Sequence, residues 1–115
     1  MEKYFEELPM AITICDAQGT ILDLNYHSTE VNAKAGDKSL IGKNVLDCHP
    51  EPARTKLLNM LKEGKKNVYT IEKNGIKKLI YQTPWYEQGQ FAGIIEFSME
   101  IPFDMPHFVR KPKTE

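Results

Sequence analysis

A chain of 115 residues with 41% apolar and 27% charged side chains has the size and balance of one soluble globular domain, with length for one core and not two. The formal net charge of −1, with both signs scattered, excludes the basic footprint that captures phosphate backbones, so no nucleic-acid partner is expected. Two cysteines are too few for a disulfide framework and fit a reducing compartment, and no stretch is apolar for the length of a bilayer, so a cytoplasmic protein with no membrane contact is expected.

Three parts are distinguished: residues 1–9, 10–101 and 102–115. The acidic opening "MEKYFEELPM" has no apolar targeting core. Tyr4, Phe5 and Leu8 fall at helical spacing before Pro9, which predicts a short amphipathic helix with a stripe to bury. "AITICD" alternates, with Ile12 and Ile14 on one face and Thr13 and Cys15 on the other. The turn "AQG" follows, and "TILDLN" resumes as a second strand with Leu22 and Leu24 on a shared face. From Tyr26 to Asn44 the alternation vanishes and Gly36 and Gly42 punctuate a polar run, which reads as short helices joined by loops.

The clearest helix begins near Pro52, where proline is tolerated at a first helical position; Ala53, Leu57, Met60 and Leu61 recur on one side and Gly64 closes it. The period then returns to two. "NVYTIEK", "KKLIYQTPWY" and "FAGIIEFSMEI" are rich in β-branched and aromatic residues, Asn74-Gly75 is a type I′ hairpin signal, and Gly89 marks a second reversal. A three-stranded meander is predicted, with Phe91, Ile95, Phe97 and Met99 facing the core. Pro84 cannot donate to a ladder, so a bulge or an edge position is expected there. The tail carries Phe103, Met105 and Phe108, which call for a packing partner, while its last residues are expected to fray.

This order of elements, with "ICDAQGTILDLN" early and "SLIGKNVLD" ahead of the long helix, resembles a PAS domain over about residues 9 to 101. Asp16 at a strand end, Gly19 in the turn and Asn25 closing the next strand carry the likeness as an ordered set. The resemblance implies an α+β fold: a five-stranded antiparallel sheet in order 2-1-5-4-3 with helices packed on one face. A helix ahead of the first strand commonly lies over the other face in this family and helps form dimers, a role residues 2–8 would take in a homodimer. The length leaves no room for a kinase, cyclase or DNA-binding output domain, so a free-standing sensory or interaction module is expected, passing its signal to a partner protein.

"GKNVLDCHPEP" resembles the Cys-His-Pro motif that some small bacterial and archaeal PAS proteins carry before the long helix. One reading is structural: Asp47 bonds exposed backbone N–H groups, Cys48 packs as a small apolar side chain, and Pro50 and Pro52 fix the chain's approach to the helix. The other makes His49 the axial ligand of a haem iron, since haem-binding PAS domains often ligate through this region and a neutral imidazole suits iron. Cys48 as thiolate is disfavoured by Asp47 and Glu51 beside it. Covalent c-type haem would need Cys-x-x-Cys-His, flavin-binding PAS domains place their Cys directly after Gly-x-Asn where this chain has Val45, and no paired spacing suits zinc.

Catalysis is not expected. Adjacent Cys48 and His49 seldom aim at each other, His27 reads as a partly exposed helix residue, and no oxyanion or phosphate motif accompanies them. A small-molecule ligand in the core would meet Cys48 and His49, Leu57 and Leu61 from the helix, and Tyr81, Trp85, Ile95 and Phe97 from the sheet, although ordinary core packing also accounts for the aromatic residues. Three functions follow in order: a non-catalytic small-ligand sensor, a haem sensor of gas or redox state through His49, and an interaction module with a filled core.

Overall fold

The computed structural model describes residues 1–113. Five strands, β1 (Ala11–Asp16), β2 (Ile21–Leu24), β3 (Asn67–Lys73), β4 (Ile76–Glu87) and β5 (Gln90–Ile101), form one antiparallel sheet in order β2-β1-β5-β4-β3. Between β2 and β3 run helix α2 (Tyr26–Asn32), a 3₁₀ segment (Val45–Cys48) and helix α3 (Ala53–Glu63), and a four-residue helix α1 (Lys3–Glu6) precedes β1. The sheet order and the α+β class are those the resemblance implies. Among the described residues no helix is long and apolar enough to cross a membrane.

The three residues that carry the early motif each have a local task. Asp16 Oδ1 accepts from the backbone N–H groups of Gln18 and Thr20 at 3.0 and 2.9 Å, which closes the β1–β2 turn. Gly19 sits at φ +89°, and a Cβ there would lie 3.0 Å from Asn44 Oδ1, so a side chain would strain this turn and crowd the 3₁₀ approach. Asn25 is fully buried: its Oδ1 caps α2 through Ser28 N at 3.1 Å and also takes Ile12 N at 3.0 Å. Its Nδ2 donates to Phe5 O and Met10 O, at 2.9 and 2.8 Å.

Helix α3 forms as its spacing predicts, with Leu57, Met60 and Leu61 buried and Gly64 in the left-handed conformation past its end. Pro52 takes the N-cap position and cannot cap with its own side chain; the Glu51 carboxylate accepts from Thr55 N at 2.8 Å instead. The β3–β4 reversal uses Asn74 and Gly75, both at positive φ, as the type I′ signal requires, and Gln88 and Gly89 repeat that device before β5. Pro84 pairs with β5 beyond the last β3 partner, Gln82, so β4 is locally an edge where its missing N–H falls, and a bulge follows at Trp85/Tyr86.

Four expectations are corrected. Helix α1 spans only Lys3–Glu6 and buries none of its residues, because four residues make barely one turn and Pro9 prevents extension. The segment from Tyr26 to Asn44 holds one helix, not several, followed by turns. On β2 a register shift between Ile14 and Cys15 places Ile21 with Leu24 on the interior and leaves Leu22 exposed.

The fourth concerns β5. Cys15 pairs with Ile94 and Thr13 with Glu96 beneath the helices, so Ile95, Phe97 and Met99 face the other side of the sheet with Ile12, Ile14 and Tyr81. Phe91 alone of its predicted set packs under α3, because Ala92 is an unpaired bulge residue that reverses the alternation. In the tail, Phe103, Met105 and Phe108 remain 54%, 49% and 74% exposed. The fraying expected at the end of the tail falls partly on Thr114 and Glu115, outside the described residues.

Candidate functional site

Between the sheet and its helical cover lies a cavity of ≈ 210 Å³. Its apolar wall comes from Cys15 on β1, Ile21 and Leu24 on β2, Ile94 on β5, Leu57 on α3, and Leu40 and Val45 from the connecting segment. Polar side chains interrupt that wall: Thr13, Gln82 and Glu96 from the sheet, Asn32 from α2, and Cys48 and His49 from the approach to α3. This mixture, an apolar body with a few converging polar groups, is what small-molecule sites use to hold and orient a ligand. A second void of ≈ 60 Å³ is also lined by His49, Leu57 and Gln82, so these three form the partition between the two spaces.

Of the eight residues singled out in the sequence, the structure brings Cys48, His49 and Leu57 to the cavity and sets Leu61 in the adjoining core with Cys15, Met60 and Ile94. Tyr81, Ile95 and Phe97 lie on the opposite face of the sheet. Trp85 pairs with Gly93 and passes over it, its Nε1 donating to Cys15 O at 2.9 Å. Apart from the His49 imidazole, the cavity wall holds no aromatic ring. Sequence reasoning missed Thr13, Asn32, Gln82 and Glu96. No sequence signal marked them, because Thr13, Gln82 and Glu96 fall on the less apolar parity of their strands and Asn32 lies on α2.

The approach to α3 is held by side chains other than Asp47. Asn44 caps the 3₁₀ segment through Leu46 N at 2.9 Å, whereas Asp47 is exposed and faces Arg54 at 3.6 Å. Cys48 is exposed at the cavity's rim, its Sγ 3.8 Å from Asn44 O, and His49 Nδ1 lies 2.6 Å from Val45 O. That contact requires the proton on Nδ1 and leaves Nε2 with its lone pair, the tautomer a metal ligand would need. Haem nevertheless does not fit: the cavity falls below the roughly 300 Å³ at which sites for drug-sized molecules begin, and a tetrapyrrole is larger than many of those. Two polar side chains of the sheet, Gln82 and Glu96, also stand in its floor.

The two thiols differ sharply. Burial pushes the Cys15 thiol above its ordinary value of 9.0, opposed by a hydrogen bond with the Ile94 backbone and reinforced by the negative charges of Asp16 and Glu96. A maleimide at pH 7 is therefore expected to modify Cys48 alone in the folded protein, and Cys15 only after denaturant is added, as intact mass would record. Equal labelling of both thiols would contradict the burial of β1. Because the folded thiol is the weaker acid, its contribution to stability is complete below pH 9.0 and declines as pH rises toward the folded value.

A five-stranded antiparallel sheet in this order, with a cavity beneath helices on one face, defines the PAS fold. The family model described as "PAS fold" matches residues 5–101, and the chain belongs to that family. Solved structures agree in fold. The PAS domain of an HTR-like protein from Haloarcula marismortui is 16% identical with a TM-score of 0.60, the match covering 85% of this chain and 86% of that one. The PAS domain of Bordetella pertussis BvgS is 16% identical with a TM-score of 0.62, covering 86% and 82%.

VqmA bound to DPO is 18% identical with a TM-score of 0.63, covering 87% of this chain and 55% of VqmA. A Vibrio cholerae VqmA dimer that shifts conformation in the absence of its target DNA gives the same identity and TM-score, covering 87% and 51%. No curated protein matches the chain. These solved structures share the chain's fold.

Proposed function

We propose that this chain is a non-catalytic, cytoplasmic sensor that binds a small organic ligand in the ≈ 210 Å³ cavity, associates as a homodimer and passes the signal to a partner protein. The observation that carries the reading is the cavity itself, apolar in body, polar at a few points and placed where sheet, α2 and α3 meet. A dry cavity of about 150 Å³ accommodates benzene, so the volume suits a ligand of about six to ten non-hydrogen atoms. That VqmA was solved bound to DPO supports a small ligand as a reasonable occupant of this fold.

Ligand binding alters signalling only if one arrangement of the helical cover binds better than another. Support for the non-catalytic reading comes from Cys48 and His49, which turn to different backbone carbonyls and are not hydrogen-bonded to each other. Homodimer formation is supported by the exposure of Tyr4 and Phe5 on α1, at 72% and 47%.

Native mass spectrometry tests the reading. A retained organic mass in the wild type, lost in Leu57→Trp while the dimer mass persists, is the expected result. Retention of the same mass in the filled variant would overturn it. For the haem alternative, the tautomer of His49 is favourable and the volume is not. A Soret band lost on His49→Ala would reinstate haem, and colourless protein after growth with ample haem would remove it. A module with a filled core, working only through its exposed surfaces, would instead retain no ligand.

A further inference from the structure

The polar groups on the covered face are not scattered. Asn67 on β3, Gln82 on β4, Glu96 on β5 and Thr13 on β1 are successive partners in one cross-strand row. Asn67 Nδ2 donates to Gln82 Oε1 at 2.9 Å, and Gln82 Nε2 donates to Glu96 Oε1 at 2.8 Å. Both amides thus orient their donors toward the carboxylate. From the other side, Thr13 lies opposite Glu96 but engages Ser28 Oγ at 2.6 Å, and Asn32 Nδ2 also turns to Ser28. Among the described residues, Glu96 Oε2 receives no protein donor and no Lys, Arg or His forms an ion pair with Glu96. The row therefore ends at the cavity in an acceptor without a counter-charge, beside Ile94 and Cys15.

A carboxylate accepts hydrogen bonds and cannot donate, so a molecule that meets Glu96 Oε2 must bring the donor. Resting on the small-ligand reading above, we propose that the cavity selects molecules with an N–H or N⁺–H donor on a compact apolar body, the donor meeting Glu96 and the body packing on Ile21, Leu24, Leu57 and Ile94. Anions are rejected by the same carboxylate. Gln82 fixes the carboxylate's orientation through its amide and is itself fixed by Asn67, so a donor arriving at Oε2 meets an acceptor already positioned. Cys48 and His49 take no part in this recognition beyond lining the rim.

Three probes of equal ring size separate the possibilities: cyclohexylamine, cyclohexanol and cyclohexanecarboxylate, titrated at pH 7 into the ¹⁵N-labelled full chain with the backbone signals of Leu57 and Ile94 followed by NMR. The amine is expected to bind about tenfold or more tightly than the alcohol, as a charge-assisted hydrogen bond in place of a neutral one implies, and the carboxylate least. In Glu96→Gln the amine-to-alcohol ratio should fall to near one. Should that variant fail to fold, the wild-type ranking decides alone. Carboxylate binding as tight as amine binding, or an unchanged ratio in Glu96→Gln, overturns the donor assignment. Alcohol and amine binding equally in the wild type would also overturn it while leaving the cavity reading standing, whereas no shift with any probe overturns both.

Discussion

Replacing Gly93 by Ala is expected to destabilise the fold by about 4 kcal/mol or more, a loss in the exceptional range for one substitution. Two independent causes act together. Gly93 sits at φ +155°, a conformation that residues with a side chain rarely adopt. An added Cβ would also lie 2.0 Å from Cys15 O and 2.8 Å from Asp16 C, both backbone atoms of β1, and 2.7 Å from Trp85 Nε1. Relief requires β1 and β5 to separate at the point where Cys15 and Ile94 build the cavity floor. For a domain of this size the melting temperature should fall by about 10 °C or more. Gly89→Ala provides the comparison, since Gly89 has φ +79° but nothing within 4 Å of an added Cβ, so only backbone strain of about 1 kcal/mol is expected. Equal thermal or urea midpoints for the two variants would show that the close approach at Gly93 is not what its position requires.

Asn25→Ala is expected to cost about 3 kcal/mol or more. The side chain is fully buried and its amide uses every capacity it has, two donors to Phe5 O and Met10 O and two acceptances from Ile12 N and Ser28 N. Removing it leaves the Ile12 and Ser28 N–H groups and two carbonyls without this partner at once, and deletes the N-cap of α2. It also unties the segment before β1 from the end of β2. Asn25→Asp should not rescue: the acceptances survive, but an oxygen then faces the carbonyls of Phe5 and Met10. Urea denaturation of the three proteins checks this, and a near-native midpoint for Asn25→Asp would show that the two donated bonds contribute little.

Alternation in "AITICD" and in the last three strands made the sheet readable, and Asn74-Gly75 pinned one of its hairpins, because both signals are local. Which face lies inward is not local. Ile12, Ile14, Ile95 and Phe97 form the more apolar face, yet α2 and α3 cover the face that carries Thr13, Cys15, Gln82, Ile94 and Glu96. A rule that puts the greasier parity inside therefore selected the wrong side, and with it Tyr81, Ile95 and Phe97 as ligand contacts. The bulge at Ala92 compounded the difficulty by switching Phe91 to the inner face within the same strand. Leu57 and His49 were legible because a helical stripe and the approach to a helix point one way only. The functional reading of Glu96 needed the register, since only pairing shows that it continues a row begun at Asn67.

The chain contains a single tryptophan, and its indole rests over Gly93 with Nε1 on the carbonyl of Cys15, whose side chain lines the cavity on the far side of the sheet. Emission from Trp85 is thereby wired to the β1 backbone without the ring entering the space a ligand would fill. The molecule thus carries an optical gauge for the proposed ligand: occupancy that displaces β1 is expected to change the hydrogen bond and polarity around the fluorophore, with no competition between reporter and guest.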